Sequence, residues 1–373
     1  MIRRIGRGVL ATCTVAGLTA ASLAGVAHAA DPKVVKVVID DTGCPATVSA
    51  KAGPTTFKVT NKGTGGVTEF EVVSSDASKI LGEVENIDPG KKAEFTISLK
   101  AGDYTTACPG GTTTSLGALT VTGTADTTLS ADGQAAVDAY RQYLVEQTAI
   151  LTAATKTFTA AVDSGNVDAA KTAYIPARVP YERIEPVAES FGDLDPRIDA
   201  REGDVPAKDW GGYHLIEQAL WETGSLSTIT PKVTADLNTN VQTLENLVQD
   251  VELQPAAIAN GAVELLNEVS KSKITGEEER YSHVDLVDFE ANVQGAEAAY
   301  GAVRPILEKK NPKLVAQLDA KFDAVYAALR PYRSGTTYVL YTDLLPADTK
   351  KLSQAIDTLA EPLSKVSKQV VQS

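Results

Sequence analysis

The sequence is short of the residues that most redox and nucleophilic sites require. It has three histidines and three cysteines among 373 residues, and no histidine lies between Asp31 and Tyr213. A blue-copper electron-transfer centre needs two histidines beside a cysteine, so that stretch cannot build one. Arrangements of serine, histidine and aspartate for acyl transfer are missing, as are phosphate-cradling glycine loops and dinucleotide fingerprints. Beyond the first thirty residues no apolar run approaches the length of a membrane span. Basic residues are in deficit, 35 Lys and Arg against 48 Asp and Glu, for a net charge of −13. An acidic surface of this kind disfavours nucleic acid as a partner and gathers cations.

What is present falls into distinct parts. Residues 1–30 carry Arg3, Arg4 and Arg7, then an apolar run, then Ala27-His28-Ala29 before Ala30. This pattern predicts a cleavable signal peptide and an exported protein, in the periplasm or at the outside of the cell envelope, soluble once cleaved. Between Asp31 and Gly123, the runs Val34–Ile39, Thr55–Thr60, Thr68–Val73, Ala93–Leu99 and Ala118–Thr122 are separated by Gly, Pro, Asn and Asp turns. They predict an all-β sandwich over residues 31–123. Residues 124–130 are polar and carry neither period, which predicts a linker. From 131 to 373 apolar residues recur at helical intervals, and breaks near Gly165, Gly192, Gly224, Pro255, Pro312 and Pro331 predict about eight helices. Pro176, Pro180 and Pro186 predict a kinked or broken second helix.

The run Trp210-Gly-Gly-Tyr-His-Leu-Ile-Glu-Gln-Ala-Leu-Trp221 holds the most chemistry. His214 and Glu217, three positions apart, stack on one helix face, where an imidazole nitrogen and a carboxylate reach the same cation. Two protein ligands leave a transition metal under-coordinated, so other helices have to add oxygens. Glu182, Glu185 and Glu189 recur at three- and four-residue steps and predict an acidic stripe, either a solvated face or the remainder of a metal site, with Glu182 and Glu185 as the candidates to complete it. Arg178, Arg183 and Arg197 offer the alternative of a cluster neutralised from within. Further carboxylates, from Glu264 to Glu290, exceed the needs of one cation. His283 sits in a polar turn before a helix and reads equally as a cap neighbour or a ligand. Trp210, Tyr213, Tyr281 and Trp221 read as cleft walls. Both zinc-peptidase signatures fail: Leu215 stands where the forward motif wants Glu, and Gln218 where the inverted motif wants a second His. Cys44 and Cys108 read either as a disulfide of an oxidising compartment or as metal ligands, and both readings bring them together.

The Gly212-Tyr-His-Leu-Ile-Glu217 run resembles the GxHxxE signature of the imelysin-like, peptidase-like family, and the stretches Tyr181–Arg197 and Lys273–Asn292 are similar to that family as well. Ala101-Gly-Asp-Tyr-Thr-Thr-Ala-Cys-Pro109 resembles the metal-end loop of a cupredoxin. The likeness covers nearly the whole chain after the leader, because members that serve bacterial iron uptake carry a small β domain ahead of the helical one. It implies an N-terminal cupredoxin-like β-sandwich followed by an all-α domain of two antiparallel four-helix bundles. It also implies a non-enzymatic iron carrier, holding Fe2+ or Fe3+ at the HxxE site and working with a haem peroxidase of the dye-decolourising type and a membrane ferric permease. For the β domain it implies copper or ferric iron held by Cys44, Cys108 and a nearby acid, by position Glu69. The family's older label implies a zinc-dependent peptidase instead. A binding module with a structural metal is the third reading.

Overall fold

Alternating burial along short segments builds two sheets from the first ninety or so residues past Asp31, as in Thr47–Lys51, where every second side chain is buried. The computed structural model describes residues 31–373 apart from 77, 111, 112 and 272, so the expected signal peptide at 1–30 lies outside the described residues. One sheet has the order β1 (Lys33–Ile39), β3 (Gly53–Asn61), β6 (Lys92–Leu99). The other runs β2 (Thr47–Lys51), β8 (Thr113–Thr122), β7 (Gly102–Gly110), β4 (Phe70–Val73), β5 (Ile80–Val84). β1 pairs with β3 and β2 with β8 in parallel, and the remaining pairs are antiparallel. Phe57 and Phe95 stack at 5.1 Å between ring centres, with Phe70 tilted beside them, at the middle of the sandwich core.

The five strands expected from the sequence are all present, and β2, β5 and β7 are additional. β7 corrects an expectation. The stretch Ala101–Pro109, read as a loop, lies almost wholly within this strand, which pairs with β4 on one side and β8 on the other.

After Thr122 regular structure resumes at Ala131, where Ser130 Oγ accepts the Gly133 N–H at 3.0 Å and caps α1 (Ala131–Asp163). Seven long helices carry this part: α1, α2 (Val167–Glu182), α6 (Pro231–Gln249), α7 (Pro255–Lys271), α8 (Asp285–Lys310), α9 (Pro312–Leu329) and α10 (Pro346–Leu363). Short ones fill the gaps: α3 (Glu185–Glu189), α4 (Leu194–Asp199), α5 (Gly212–Gln218) and α11 (Val366–Val370). α7 to α10 close a ring in sequence order, α10 returning to α7, which makes one four-helix bundle. In the other bundle α1 packs on α2 and α6, and α4 and α5 stand against α6 in place of a fourth long helix. α8 also packs on α1 and α2, joining the two groups. α2 continues through Pro176 and Pro180 but ends at Glu182, and Pro186 falls in the first turn of α3, where its missing N–H costs no helical bond.

α7 is also the seat of the β-sandwich. Gln254, just before it, exchanges two hydrogen bonds with the Ser98 backbone (3.1 and 3.0 Å), and Asn260 Nδ2 donates to the Thr96 carbonyl at 2.9 Å. Both satisfy backbone groups of β6 that would otherwise be an open strand edge. Among the described residues no helix is long and apolar enough to cross a membrane.

Candidate metal centre

Glycine at 212 sets the geometry. Its φ of +72° lies in the left-handed region, and a Cβ there would stand 2.1 Å from the Ile198 carbonyl oxygen. The start of α5 therefore rests directly on the end of α4, which brings Asp199 beside His214. His214 is 1% exposed and Glu217 fully buried. His214 Nδ1 meets Glu217 Oε2 at 2.9 Å, while Glu217 Oε1 accepts the backbone N–H groups of Tyr281 (2.9 Å) and Ser282 (2.7 Å). The other ring nitrogen, Nε2, makes no hydrogen bond and lies 3.5 Å from both Asp199 Oδ1 and Glu278 Oε1.

Ligand atoms converge in three overlapping groups, each within 4.8 Å: Asp199, His214 and Glu278; His214, Glu217 and Glu279; and Glu182, Glu185, Asp199 and Glu278. Two buried cations lie among them. Arg178 donates through Nε to Glu279 (3.1 Å), through Nη2 to Glu278 (3.2 Å) and Glu182, and through Nη1 to Asp199. Lys273 Nζ donates to Glu182 (2.9 Å) and to both oxygens of Glu185 (2.7 and 2.6 Å). Asn292 Nδ2 bridges the same two glutamates at 2.8 and 3.0 Å.

The proton affinities follow from these neighbours. Burial pushes the Glu182 carboxyl up, but the Lys273 and Arg178 charges outweigh it and hold it below the usual range. Glu278 is held well below, its burial outweighed by Lys273, His214 and Arg201. Glu279, buried and beside Glu217, is raised to about 7. Burial and Arg178 push His214 down, yet Glu217 and Glu278 prevail and raise it to about 9.

Of the expected residues, His214 and Glu217 fall in one buried converging group and Glu182 and Glu185 in another, the two joined through Asp199 and Glu278. The stripe of Glu182, Glu185 and Glu189 is not a single helix face, because the helix breaks at Arg183 and Ile184. Of the three arginines only Arg178 neutralises this cluster: Arg183 bonds Gln147 and Gln294, and exposed Arg197 pairs with Asp193. His283 belongs to none of the converging groups. Tyr213 is a core residue whose hydroxyl pairs with that of Thr155 at 2.7 Å, and Trp210 Nε1 donates to the Ala200 carbonyl at 2.8 Å. Sequence reasoning did not single out Asp199, Glu278 or Glu279 from their acidic surroundings, and it missed Lys273. Glu278, Glu279 and Lys273 all lie in Lys273–Asn292, a stretch that carried the family likeness, and that was the available signal.

In the β-sandwich, Cys44 and Cys108 form a disulfide with 5.3 Å between their Cα atoms. This corrects the reading of both as metal ligands, since a disulfide sulfur has no thiolate to offer. Glu69 converges instead with Glu71 and Glu83, and burial together with the charges of Glu85, Glu83 and Glu71 raises its carboxyl well above the usual range. A cavity of about 630 Å3 opens nearby between the sandwich and α7, lined in part by Glu83, Asn260 and Glu264. His214 is not among its walls.

The comparisons with known proteins agree with this architecture. The imelysin family model matches residues 136–366, and that of the cupredoxin-like domain matches residues 12–121. The iron uptake system component EfeO of Escherichia coli K12 is 38% identical over 357 residues, covering 92% of this chain and 93% of that protein. Its counterpart in Escherichia coli O157:H7 is 39% identical over 358 residues at the same coverage. A crystal structure of a putative iron-regulated protein A precursor from Parabacteroides distasonis superposes on 66% of this chain and 97% of its own, with a TM-score of 0.51 at 15% identity, a likeness of fold alone. The chain thus belongs to the imelysin family, in the form that carries a cupredoxin-like domain ahead of the helices, with the EfeO proteins as relatives over nearly its whole length.

Proposed function

We propose that this protein is an exported iron carrier. It takes ferrous or ferric iron into the helical pocket through His214 Nε2 and the carboxylates of Asp199, Glu278 and Glu279, with Glu217 fixing the imidazole, and passes it to a membrane permease. One observation supports this above the others: a buried ring nitrogen without a hydrogen-bond partner faces two carboxylates from separate segments at 3.5 Å. A purely structural histidine in such a place would spend both nitrogens on hydrogen bonds. An imidazole oriented at Nδ1 by a carboxylate and open at Nε2 is the arrangement that supports metal-bound histidines. Several hard oxygens with one borderline nitrogen suit iron of either valence.

The relatives' name supports iron as the cargo, and the word component in it supports partner proteins. A haem peroxidase of the dye-decolourising type and a membrane ferric permease are the partners the family likeness implies. While Cys44 and Cys108 stay joined, any copper or ferric iron in the β-sandwich falls to Glu69 with Glu71 and Glu83. The role is capture, since neither zinc-peptidase signature is complete.

The test is iron binding by the mature protein, followed through quenching of its tryptophans. Replacing His214 and Glu217 together by Ala is expected to weaken binding by orders of magnitude. Equal affinity in the wild type and the folded double variant would reject the assignment. Peptide cleavage that is lost on His214→Ala would favour the zinc enzyme.

A further inference from the structure

We propose that Arg178 is the cation this pocket holds when iron is absent, and that iron enters by displacing its guanidinium. The inference rests on the iron reading above and adds to it a residue that sets how tightly the cargo is held.

The geometry forces a competition. Arg178 is 1% exposed and reaches Glu182, Asp199, Glu278 and Glu279 with three of its nitrogens. Each of the three converging groups in the helical domain contains at least one of these four partners. At His214 the overlap reaches single atoms: Asp199 Oδ1 and Glu278 Oε1, the two oxygens that face Nε2, are the same oxygens that the guanidinium contacts, so an ion bound there competes with Arg178 for them. Lys273 is a different case. It is committed to Glu182 and Glu185 and stands 4.0 Å from Glu278, and no contact ties it to Asp199, Glu217 or Glu279. Charge balance points the same way. The three groups hold six carboxylates, with Arg178, Lys273 and the raised His214 as the buried cations among them, so a cation of higher charge can replace Arg178 while Lys273 stays.

The local backbone also permits the exchange. Arg178 lies between Pro176 and Pro180, which leave the carbonyls of Thr172 and Pro176 without their α-helical donors, so α2 has two fewer backbone hydrogen bonds around this side chain. Its guanidinium already lies 5.5 Å from the Tyr213 ring and 5.9 Å from the Tyr181 ring. These aromatic faces give it somewhere to rest after release. An arginine that only buttressed the ligands would keep its contacts when the metal binds.

The experiment uses the full mature chain and ferrous iron alone under anaerobic conditions. Arg178→Gln is expected to bind iron more tightly than wild type, by roughly ten- to a thousandfold, the size of effect a single charge at 4–6 Å has on a proton equilibrium. Arg178→Lys, which keeps the charge and loses the fork, should fall between the two. The rise in melting temperature on adding iron should be larger for Arg178→Gln than for wild type. Affinity unchanged or weakened in a folded Arg178→Gln variant would overturn the proposal. An iron-soaked wild-type crystal decides the matter even where the variant fails to fold: loss of the contacts to Asp199 and Glu278 supports displacement, and retention of all four refutes it. His214→Ala measured alongside separates the two questions. Its binding iron as well as wild type would remove the iron reading, while tighter binding by Arg178→Gln would still support displacement at the carboxylates.

Discussion

Gly212 and Ile198 meet backbone to backbone, with a space between them that no other side chain fits: a Cβ at 212 would lie 2.1 Å from the Ile198 carbonyl oxygen. Gly212→Ala is expected to cost about 2–4 kcal/mol, from the left-handed φ and the collision together. It should also push Asp199 away from His214. Denaturant unfolding and iron titration of the same variant check both parts, and an unchanged unfolding midpoint contradicts the first.

Glu217 has two tasks that one substitution separates. Glu217→Gln keeps an oxygen for the Tyr281 and Ser282 N–H groups but removes the charge beside His214 Nδ1. The fold is expected to survive with a loss of about 1–3 kcal/mol. The imidazole pKa, followed by NMR, should fall from its raised value near 9 towards or below the ordinary 6.5, and iron binding should weaken roughly 10- to 100-fold. A pKa that stays in place would show that Glu217 does not hold the imidazolium.

The pH dependence of the metal-free protein has a definite sign. His214 is raised from 6.5 to about 9, so the stability it contributes is whole below about pH 6.5 and is lost as pH rises through about 9. Glu264, raised from 4.5 to about 7 chiefly by burial, acts in the same direction over its own window. Glu182, Glu217 and Glu278 are held low and act oppositely: they contribute above about pH 4.5 and lose that contribution as pH falls below it. The melting temperature should therefore peak in weakly acidic solution and decline towards about pH 9. His214→Asn should flatten the upper part of the decline, and Glu264→Gln the lower. A curve rising from neutral to alkaline pH would contradict this.

The disulfide joins cysteines 64 positions apart. Chain entropy alone gives such a link roughly 4 kcal/mol, and replacing both cysteines by Ser is expected to cost about 2–4 kcal/mol of sandwich stability. Counting thiols on the purified protein provides the direct check, and two reactive thiols at Cys44 and Cys108 would contradict the pairing.

Much of the fold could be read from the sequence because periodicity reports it directly. β1, β3, β4, β6 and β8 alternate or run apolar, and the long helices are punctuated by Gly165, Pro255 and Pro312. β5 was missed because Gly82 interrupts it and Glu83 lies within it. β7 was missed because Gly102 and Pro109 imitate a loop. At the site, spacing within one helix revealed His214 and Glu217. Asp199 comes from the end of α4, and Glu278 and Lys273 from the connector ahead of α8, and no local pattern records which of many acids turn inward. Burial distinguishes them: Asp236 is exposed and salt-bridged to Lys232, whereas Asp285 is buried.

Much of the pocket is furnished by one short connector. Between Glu278 and Ser282 the chain supplies two carboxylates and both amides that anchor Glu217. On the iron reading proposed above, evolution or an engineer would alter the ligand set by rewriting a single pentapeptide ahead of α8, leaving the interlocked rods of both bundles untouched.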